Sequence, residues 1–407
     1  MSNSTTYDQL IFKASHNSYD RNEPLGEQLT FHPNDPSKCG CLGVELDIWR
    51  HTSPYVPYEQ MDKGFFTVAH VTPGSTTLAS YFDQILAWNK NNPGHYPVLV
   101  TLDIKSSLGG FDGFQDEIDT YLKLYFGEAL IFKPNKLLYD DQLTLCENVI
   151  KHGWPTIDSA EMAGKFIFCL SGNKDWKKEY ANTNLPVRYC FSDENKSDSD
   201  PNVVPPTTGN IVFFNFGISN SNRGVWMNTI PPFAPKHLIT RTYVSNDETI
   251  WNNCIKANVS AIATDKLSGH SWCKVSNTAP YALKTPSFDK RSLKNKANNE
   301  YRTSNATEMQ AVYASPRCTF IFEPLLVGNE PVFALRNAEN SQYLDCTISS
   351  MSTKVIDDCQ KWRLITVNAD KHEYYIQNVK NNEYMTKRAS KLSGSAGSDE
   401  VYIIEQR

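Results

Sequence analysis

The sequence predicts an α/β domain built as a (β/α)8 barrel over residues 1–275, followed by an all-β domain with the β-trefoil fold over residues 280–407. Two observations lead to this prediction. From about residue 8 to residue 270, short apolar runs alternate with amphipathic runs, which is the pattern of parallel strands joined by helices. The remaining part repeats itself about every 41 residues, and such repetition is typical of a fold closed from several copies.

Eight strand candidates support the barrel. In chain order they are LIFKAS, GVELDIW, FFTVAH, PVLVTLDI, GKFIFCLS, NIVFFNFG, HLITRTYV and SAIATD. These runs are almost continuously apolar, as expected for parallel strands that are covered on both faces. An open doubly wound sheet is the alternative, but no glycine-rich phosphate loop follows the first strand.

The segment TTLASYFDQILAWNKNNPG predicts the clearest helix between these strands. Its apolar residues fall on one helical face: Leu78, Phe82, Ile85 and Trp88. Threonine precedes this helix and Pro93 follows it, as expected at helix ends. FDGFQDEIDTYLKLYF and NDETIWNNCIKA predict two further amphipathic helices.

The C-terminal repeat has three copies. NNEYRT at 298–303 returns as NNEYMT at 381–386, and FALRNAENSQYLD at 333–345 aligns between them. Tyr301, Tyr343 and Tyr384 occupy equivalent positions. One copy alone cannot bury its apolar face, so three copies that pack on one another predict a β-trefoil.

Composition excludes several classes of protein. The net charge of −5 and the pI near 6.0 argue against broad electrostatic binding, so no nucleic-acid partner is expected. No apolar run is long enough to span a bilayer, and the polar start MSNSTTYDQL shows no signal peptide. The chain has ten cysteines but no CxxC pair, so zinc is not expected.

Polar residues lie at the ends of the predicted strands. They are His16, Asn17, Glu45, Asp47, His70, Asp103, Lys105, Arg241, Tyr243 and Asp265. The C-terminal ends of barrel strands converge on one mouth, so polar residues there indicate a functional site. Each residue alone also fits a structural role, such as a carboxylate paired with arginine or a helix cap.

Together, however, these residues bring several carboxylates to one mouth, which is costly without a cation. The oxygen-rich members are Asn17, Glu45, Asp47 and Asp103. Such a set suits a hard divalent ion, and Ca²⁺ best tolerates an irregular mixture of amide and carboxylate ligands. The sequence therefore predicts a calcium site at the mouth.

The motifs SHNSY, VELDIW, TVAH, YPVLVTLDIK, WPTI…GKFIF and RTY occur in this order over residues 8–270. In order and position they resemble the catalytic half of Ca²⁺-dependent phosphoinositide-specific phospholipase C. The resemblance implies a barrel of the phospholipase C-like phosphodiesterase type. It also implies a hydrolase that acts at a phospholipid membrane surface and cleaves phosphatidylinositol-type lipids to diacylglycerol and an inositol (cyclic) phosphate.

The same resemblance implies a role for each strand-end residue. His16 and His70 match the two catalytic histidines, which stabilise charge at phosphorus and protonate the leaving group. Glu45 is a further catalytic candidate as the proton acceptor, with Asp103 as the alternative. The implied calcium ligands are Asn17, Glu45, Asp47 and Asp103, and animal members usually have glutamate at the last of these positions. The implied substrate contacts are Lys105, Arg241 and Tyr243.

Two departures from the family pattern bear on the substrate and the metal. Cys169 and Ser171 stand where animal enzymes place lysines that bind ring phosphates, so unphosphorylated phosphatidylinositol or a glycosyl-phosphatidylinositol is expected. Metal-independent relatives carry His-Asp on the first strand and an arginine in place of the ion. Asn17 and Glu45 therefore favour the calcium-dependent branch.

The segment CQKWRL at 359–364 contains a Gln-x-Trp that resembles the mark of ricin-type trefoils. That resemblance implies a disulfide between Cys346 and Cys359, and carbohydrate as a partner of the trefoil. The carbohydrate expectation rests on one intact Gln-x-Trp, because VYII replaces the motif in the last copy. Core aromatic residues are the alternative interpretation of these positions.

Two other functions stay open, as does the compartment. One is a phospholipase D-like phosphodiesterase acting on sphingolipids or lysophospholipids, which lacks a His-Asn pair. The other is a non-catalytic protein that binds glycans through the trefoil. The implied disulfide and the sequons at Asn195, Asn258 and Asn305 predict secretion. The absence of a visible signal peptide favours instead a cytoplasmic protein that is peripheral to membranes.

Overall fold

The structure is a computed structural model. It describes residues 5–51, 65–105, 111, 113–284, 290–305, 308–313, 317–327, 330–340, 342–347, 351–352, 355, 357–368, 371–388 and 392–406. The chain divides into two compact units, Met1–Lys284 and Thr285–Arg407. Each unit is described by itself.

The first unit contains ten strands among its described residues. They are β1 (Leu10–Ser15), β2 (Gly43–Arg50), β3 (Phe66–Val68), β4 (Val98–Ile104), β5 (Phe166–Gly172), β6 (Cys190–Lys196), β7 (Phe213–Gly217), β8 (Ile239–Tyr243), β9 (Ala261–Thr264) and β10 (Tyr281–Leu283). The α-helices of the same unit are α1 (Leu25–Leu29), α2 (Leu78–Asn91), α3 (Phe114–Phe126), α4 (Leu145–His152), α5 (Lys174–Asn182), α6 (Arg223–Thr229) and α7 (Glu248–Lys256).

Eight of these strands form a closed parallel barrel, which confirms the predicted fold class. Going round, the order is β1, β9, β8, β7, β6, β5, β4 and β2, and every neighbouring pair is parallel. The barrel closes where Ala14 of β1 pairs with Gly43 of β2. All C-terminal strand ends therefore open on one mouth.

One predicted barrel strand is wrong and one barrel strand was not predicted. The run FFTVAH does not enter the barrel: β3 pairs antiparallel with β2 on the outside, with Val68 opposite Ile48. The place in the barrel belongs to β6, which the sequence analysis missed. Its sequence, CFSDENK, turns polar after Phe191 although burial continues to Asp193, so it lacks the apolar pattern of its neighbours.

Alternation along β2 and β4 explains how carboxylates reach the barrel interior. On β2, Val44, Leu46 and Ile48 join the same buried apolar cluster as Phe82 and Ile85 of α2. The residues between them, which point to the opposite face, include Glu45 and Asp47. The apolar layer under the helices thus fixes the strand, and the same strand presents its carboxylates inward.

The helix predicted between β3 and β4 is present as α2. It begins after Thr77, whose hydroxyl accepts a hydrogen bond from the Ser80 amide at 3.3 Å, and this capping satisfies one of the free donors of the first turn. None of the helices in the described part of the chain is long and apolar enough to cross a membrane.

The first unit extends beyond the predicted boundary at residues 275–280. The strand β10 pairs antiparallel with β1, with Tyr281 opposite Phe12, and the Lys284 amide donates to the Gln9 carbonyl at 2.7 Å. Residues 281–284 therefore belong to the barrel unit. Within β1, β2 pairs only with Ala14, and β10 pairs with the earlier residues Leu10–Phe12.

The second unit contains twelve strands among its described residues. They are β11 (Lys290–Asn295), β12 (Tyr301–Arg302), β13 (Met309–Gln310), β14 (Thr319–Val327), β15 (Glu330–Asn337), β16 (Tyr343–Leu344), β17 (Met351–Ser352), β18 (Lys361–Asn368), β19 (Glu373–Asn378), β20 (Tyr384–Met385), β21 (Leu392–Ser393) and β22 (Val401–Gln406).

These strands form a β-trefoil, as predicted. Six of them, β11, β14, β15, β18, β19 and β22, pair in a closed ring. The other six form three short hairpins, β12–β13, β16–β17 and β20–β21. Each hairpin begins at one of the three equivalent tyrosines, so each sequence copy is one structural repeat.

A buried asparagine repeats once in each copy, at Asn295, Asn337 and Asn378. Each side-chain amide donates to a backbone carbonyl just before a strand of the ring. The acceptors are the carbonyls of Asp399 before β22, Arg317 before β14 and Cys359 before β18, at 2.8–2.9 Å. These bonds satisfy backbone acceptors where the copies meet, and the sequence analysis did not single them out.

Candidate active site at the barrel mouth

Three carboxylates converge at the mouth. Asp47 on β2 lies directly opposite Asp103 on β4 in the parallel register, and Glu45 is two residues before Asp47 on the same face. Their ligand atoms all lie within 4.8 Å of one another, and Glu45 and Asp47 are buried. The predicted ligand carboxylates are therefore brought together.

Two carboxylate oxygens of this cluster, Asp47 Oδ1 and Asp103 Oδ1, are buried and have no hydrogen-bond partner among the described residues. A buried anionic oxygen without a partner is costly. Burial and the nearby charge of Asp103 raise the pKa of Asp47 to about 7, against the opposing effect of Lys105. The cluster as described is short of positive charge.

The other oxygens of the aspartates are occupied. Tyr19 donates its hydroxyl to Asp47 Oδ2 at 2.8 Å. The ammonium of Lys105 lies 3.2 Å from Asp47 Oδ2 and 3.0 Å from Asp103 Oδ2. The predicted substrate contact Lys105 is thus engaged by the carboxylates themselves.

Glu45 is held by a separate set of donors. The Arg241 guanidinium donates to Glu45 Oε2 at 2.7 Å and to the Asn215 side-chain oxygen at 3.1 Å. The backbone amide of Asn17 donates to the same Glu45 oxygen at 3.1 Å. Asn17 lies in the left-handed region, with φ of 46°, and this conformation turns its amide toward the carboxylate. Its side chain stays a predicted ligand.

His16 stands beside this cluster and is paired with an aspartate. Its Nδ1 lies 2.9 Å from Asp265 Oδ1, and its Nε2 lies 4.0 Å from Glu45 Oε2. The hydrogen bond from His16, more than any other favourable contact, holds the pKa of Asp265 below its ordinary value. The Tyr243 ring stacks near the imidazole at a centroid distance of 6.2 Å. A carboxylate on Nδ1 fixes the imidazole and leaves Nε2 for chemistry.

Asp265 is itself fixed by three further groups. Arg21 Nη1 lies 3.2 Å from Asp265 Oδ1. The Asn246 side-chain amide donates to Asp265 Oδ2 at 2.6 Å, and its carbonyl oxygen accepts from the Asp265 backbone amide at 2.8 Å. The sequence analysis placed Asp265 at a strand end but gave it no role, because its partner His16 is 249 positions away.

His70 lies apart from the other predicted catalytic residues. It is exposed, and among the described residues no hydrogen bond joins its imidazole to the cluster. The backbone nevertheless runs close by, since the amide of Ala69 donates to the carbonyl of Asp47 at 3.0 Å. The antiparallel course of β3 returns the chain alongside β2, so His70 directly follows a residue bonded to the backbone of the predicted ligand Asp47.

Two glycines leave room for site residues. A Cβ on Gly172, at the end of β5, would lie 2.0 Å from Asp103 Oδ1. A Cβ on Gly217, at the end of β7, would lie 2.4 Å from the Tyr243 hydroxyl oxygen. Both contacts are far below van der Waals distance, so these positions admit only glycine while the site keeps its geometry.

The cluster fits a calcium ion. Its available donors are carboxylate oxygens, which are the ligands that hard cations prefer, and two of them are buried without a hydrogen-bond partner among the described residues. Three clustered carboxylates facing one lysine and one arginine leave a site of net negative charge, which attracts a cation.

A buried ion pair near the mouth was missed from the sequence. Lys177 of α5 pairs with Asp193 of β6, and both side chains are almost fully buried. Burial raises the pKa of Asp193 against the favourable effect of Lys177. The polar second half of β6 was the only sequence signal for this ion pair. Because β6 was not predicted to be a barrel strand, that signal could not be assigned to the mouth.

A parallel barrel whose mouth holds a histidine–aspartate pair beside a carboxylate cluster suits metal-assisted cleavage of a phosphodiester. Residues 45–206 match the family model described as "Phosphoinositide phospholipase C, Ca2+-dependent", which confirms the resemblance drawn from the motifs. The match spans less than half of the chain. It includes the three carboxylates and His70 but not His16 or Arg241.

The chain is similar to several solved structures, the first of which agrees with the fold of the barrel. The chain is 16% identical to a calcium-dependent phosphoinositol-specific phospholipase C from Pseudomonas sp., covering 69% of this chain and 95% of that one with a TM-score of 0.50. The corresponding enzyme from Streptomyces antibioticus is 18% identical over 64% of this chain and 95% of that one, with a TM-score of 0.48.

The solved structure of SeviL bound to asialo-GM1 saccharide is 16% identical, and the match covers 29% of this chain and 98% of that one, with a TM-score of 0.24. No curated protein matches the chain. The family match makes the barrel unit an enzyme of the phosphodiesterase class.

We predict that Gly172→Ala damages the carboxylate cluster specifically. Its Cβ would collide with Asp103 Oδ1 and with the Ile104 backbone, whereas Gly94 has the same positive φ and nothing within 4 Å of its Cβ. Gly94→Ala should therefore cost only the backbone strain, about 1–2 kcal/mol. Gly172→Ala should cost at least about 2 kcal/mol more and should lose the rise in Tm that calcium gives the wild type. Equal losses in the two variants would contradict the assigned contact.

Proposed function

We propose that the chain is a calcium-dependent phospholipase C that cleaves phosphatidylinositol-type lipids to diacylglycerol and an inositol phosphate. One observation carries the proposal: the Oδ1 atoms of Asp47 and Asp103, which have no hydrogen-bond partner in the described part of the chain, lie in a carboxylate cluster whose Glu45 is 4.0 Å from the imidazole of His16. The family match of the barrel supports it.

The ion would be held by Glu45, Asp47 and Asp103, with Asn17 as a further proposed ligand. When bound, calcium lowers the pKa of the ring 2-hydroxyl and neutralises charge on a phosphoryl oxygen. The protein's own groups then position the substrate and move the protons.

The attack step needs a proton acceptor and a stabiliser of charge. The ring 2-hydroxyl oxygen forms a bond to phosphorus, and its proton passes to a carboxylate, for which we propose Glu45, with Asp103 as the alternative. Asp265 bonds to Nδ1 of His16 and orients the imidazole, and we propose that the Nε2 side of His16 stabilises the charge on the phosphoryl group.

The leaving step needs an acid. As the bond between phosphorus and the diacylglycerol oxygen breaks, that oxygen must receive a proton. We propose that His70 supplies it. Its exposure is compatible with contact to a lipid that lies in a membrane, and we propose that His16 acts on the ring side. Attack by the ring hydroxyl gives a cyclic inositol phosphate first.

The headgroup would be contacted by Arg241 and Tyr243. The guanidinium is already engaged by Glu45 and Asn215, so it serves to orient the carboxylate as well. On β5 the inner positions carry the buried residues Cys169 and Ser171 and no lysine for ring phosphates. This composition supports a preference for unphosphorylated inositol, including glycosyl-phosphatidylinositol.

The trefoil and the compartment complete the proposal. We propose carbohydrate as a trefoil ligand and an extracellular location. The structure joins Cys346 to Cys359 in a disulfide, and the sequon asparagines Asn195 and Asn305 are exposed. The third, Asn258, is only 2% exposed and is not available to a glycan in the folded protein.

The direct test incubates the protein with phosphatidylinositol vesicles, once with calcium and once with excess EGTA. The release of inositol phosphate is followed by ³¹P NMR. We expect inositol cyclic phosphate with calcium and none with EGTA, and His16→Ala should lose nearly all turnover while keeping its Tm. Activity that survives EGTA would exclude the metal role. Cleavage that leaves phosphate on the lipid would indicate the phospholipase D-like alternative.

We further predict that Asp265→Asn lowers kcat about a hundredfold with little change in KM, since the imidazole loses the carboxylate that fixes it. Asp8→Asn is the matched control. Asp8 Oδ2 lies 2.8 Å from His237 Nδ1, but Asp8 precedes β1 and His237 precedes β8, so the pair is at the end of the barrel opposite the mouth. The control should keep wild-type kcat, and an equal loss in both variants would contradict the role of Asp265.

A further inference from the structure

Lys105 holds an unusual position at the mouth. It is two residues beyond Asp103, and its backbone amide donates to the Ile48 carbonyl at 3.0 Å, which continues the ladder between β4 and β2. Its side chain therefore projects on the same face as Asp103. The ammonium reaches both aspartates, at 3.2 Å from Asp47 and 3.0 Å from Asp103.

We propose that Lys105 is an internal counterion of the carboxylate cluster, which holds the metal-free site together and sets a weak affinity for calcium. The inference rests on the proposed function, because it concerns the ion at that same site. It gives Lys105 a role in regulating metal occupancy in addition to the substrate contact predicted from the sequence.

The choice of oxygens supports this role. Lys105 contacts the Oδ2 atom of each aspartate, and the Tyr19 hydroxyl also donates to Asp47 Oδ2. The Oδ1 atoms stay buried and without a partner in the described structure. The lysine and a metal ion can therefore share the same carboxylates through different oxygens. The lysine does not have to leave when the ion enters.

Sharing has an electrostatic consequence. Lys105 and Arg241 already offset two of the three negative charges of the cluster. A dication entering the site is repelled by the Lys105 ammonium, which contacts the same aspartates. At a few ångströms in a partly buried site, this repulsion is large enough to weaken the affinity for the ion more than tenfold. The side chain of Lys105 is 25% exposed, so screening reduces this effect without removing it.

The expected outcome is a site that fills at high calcium concentration. Calcium sites with few charges and ligands bind in the range of about 10⁻⁴–10⁻³ M, which is typical of extracellular modules. The same lysine lets the apo protein stay folded, because two neighbouring buried aspartates keep a counterion when no metal is present.

The test is calcium titration calorimetry on the EDTA-treated full-length protein, together with its Tm in EDTA. Lys105→Met should bind calcium about tenfold more tightly than the wild type. Its Tm in EDTA should fall by roughly 5 °C and should recover with calcium. Lys105→Arg keeps the charge and should resemble the wild type in both measurements.

Lys151→Met is the control for loss of one surface charge. Lys151 pairs with Asp140 at 3.4 Å on the exposed side of α4, and its loss should change neither quantity. Unchanged or weaker calcium binding by Lys105→Met, with an unchanged Tm in EDTA, would overturn the counterion role alone. If the wild type binds no calcium at millimolar concentration, the proposed function and this inference both fail. Should Lys105→Met not fold, Lys105→Gln tests the same loss of charge.

Discussion

The pairing of β2 with β4 puts Asp47 directly beside Asp103, and the rest of the mouth compensates for that juxtaposition. Two carboxylates in register on adjacent strands repel each other unless positive charge or a proton intervenes. Lys105 contacts Oδ2 of both aspartates, Tyr19 donates to Oδ2 of Asp47, and Arg241 neutralises the neighbouring Glu45. One buried oxygen on each aspartate has no hydrogen-bond partner among the residues that the structure describes, and these two oxygens are the ones available to a cation.

The barrel tolerates this cluster of charges because its stability comes from the opposite, helix-facing side of the strands. On β2 and β4 the helix-facing residues are continuously apolar and pack under α2 and α3, and burial of this kind is the main favourable contribution to folding. The inward positions are thereby free to carry charge. Gly172 on β5 follows the same logic, since removing a side chain there makes room for Asp103.

The features that the sequence could predict are those set by local patterns, and the features it could not predict depend on contacts between distant segments. The barrel, the trefoil and the three carboxylates came from local patterns: strand periodicity, a repeat of tyrosines and residues two apart on one strand. Local patterns did not predict that β6, and not β3, belongs to the barrel. The run FFTVAH is apolar although β3 pairs outside the barrel, whereas CFSDENK is half polar although β6 is a barrel strand. The pairs His16–Asp265 and Lys177–Asp193 join distant segments, and only the folded topology brings them together.

A crystal structure of the protein grown with millimolar calcium would show directly whether the carboxylate cluster holds the ion. We expect one ion at the mouth, within about 2.3–2.6 Å of oxygens from Glu45, Asp47 and Asp103, with His16 still bonded to Asp265. A mouth that binds no ion at that concentration, with both Oδ1 atoms hydrogen-bonded to ordered water, would contradict it.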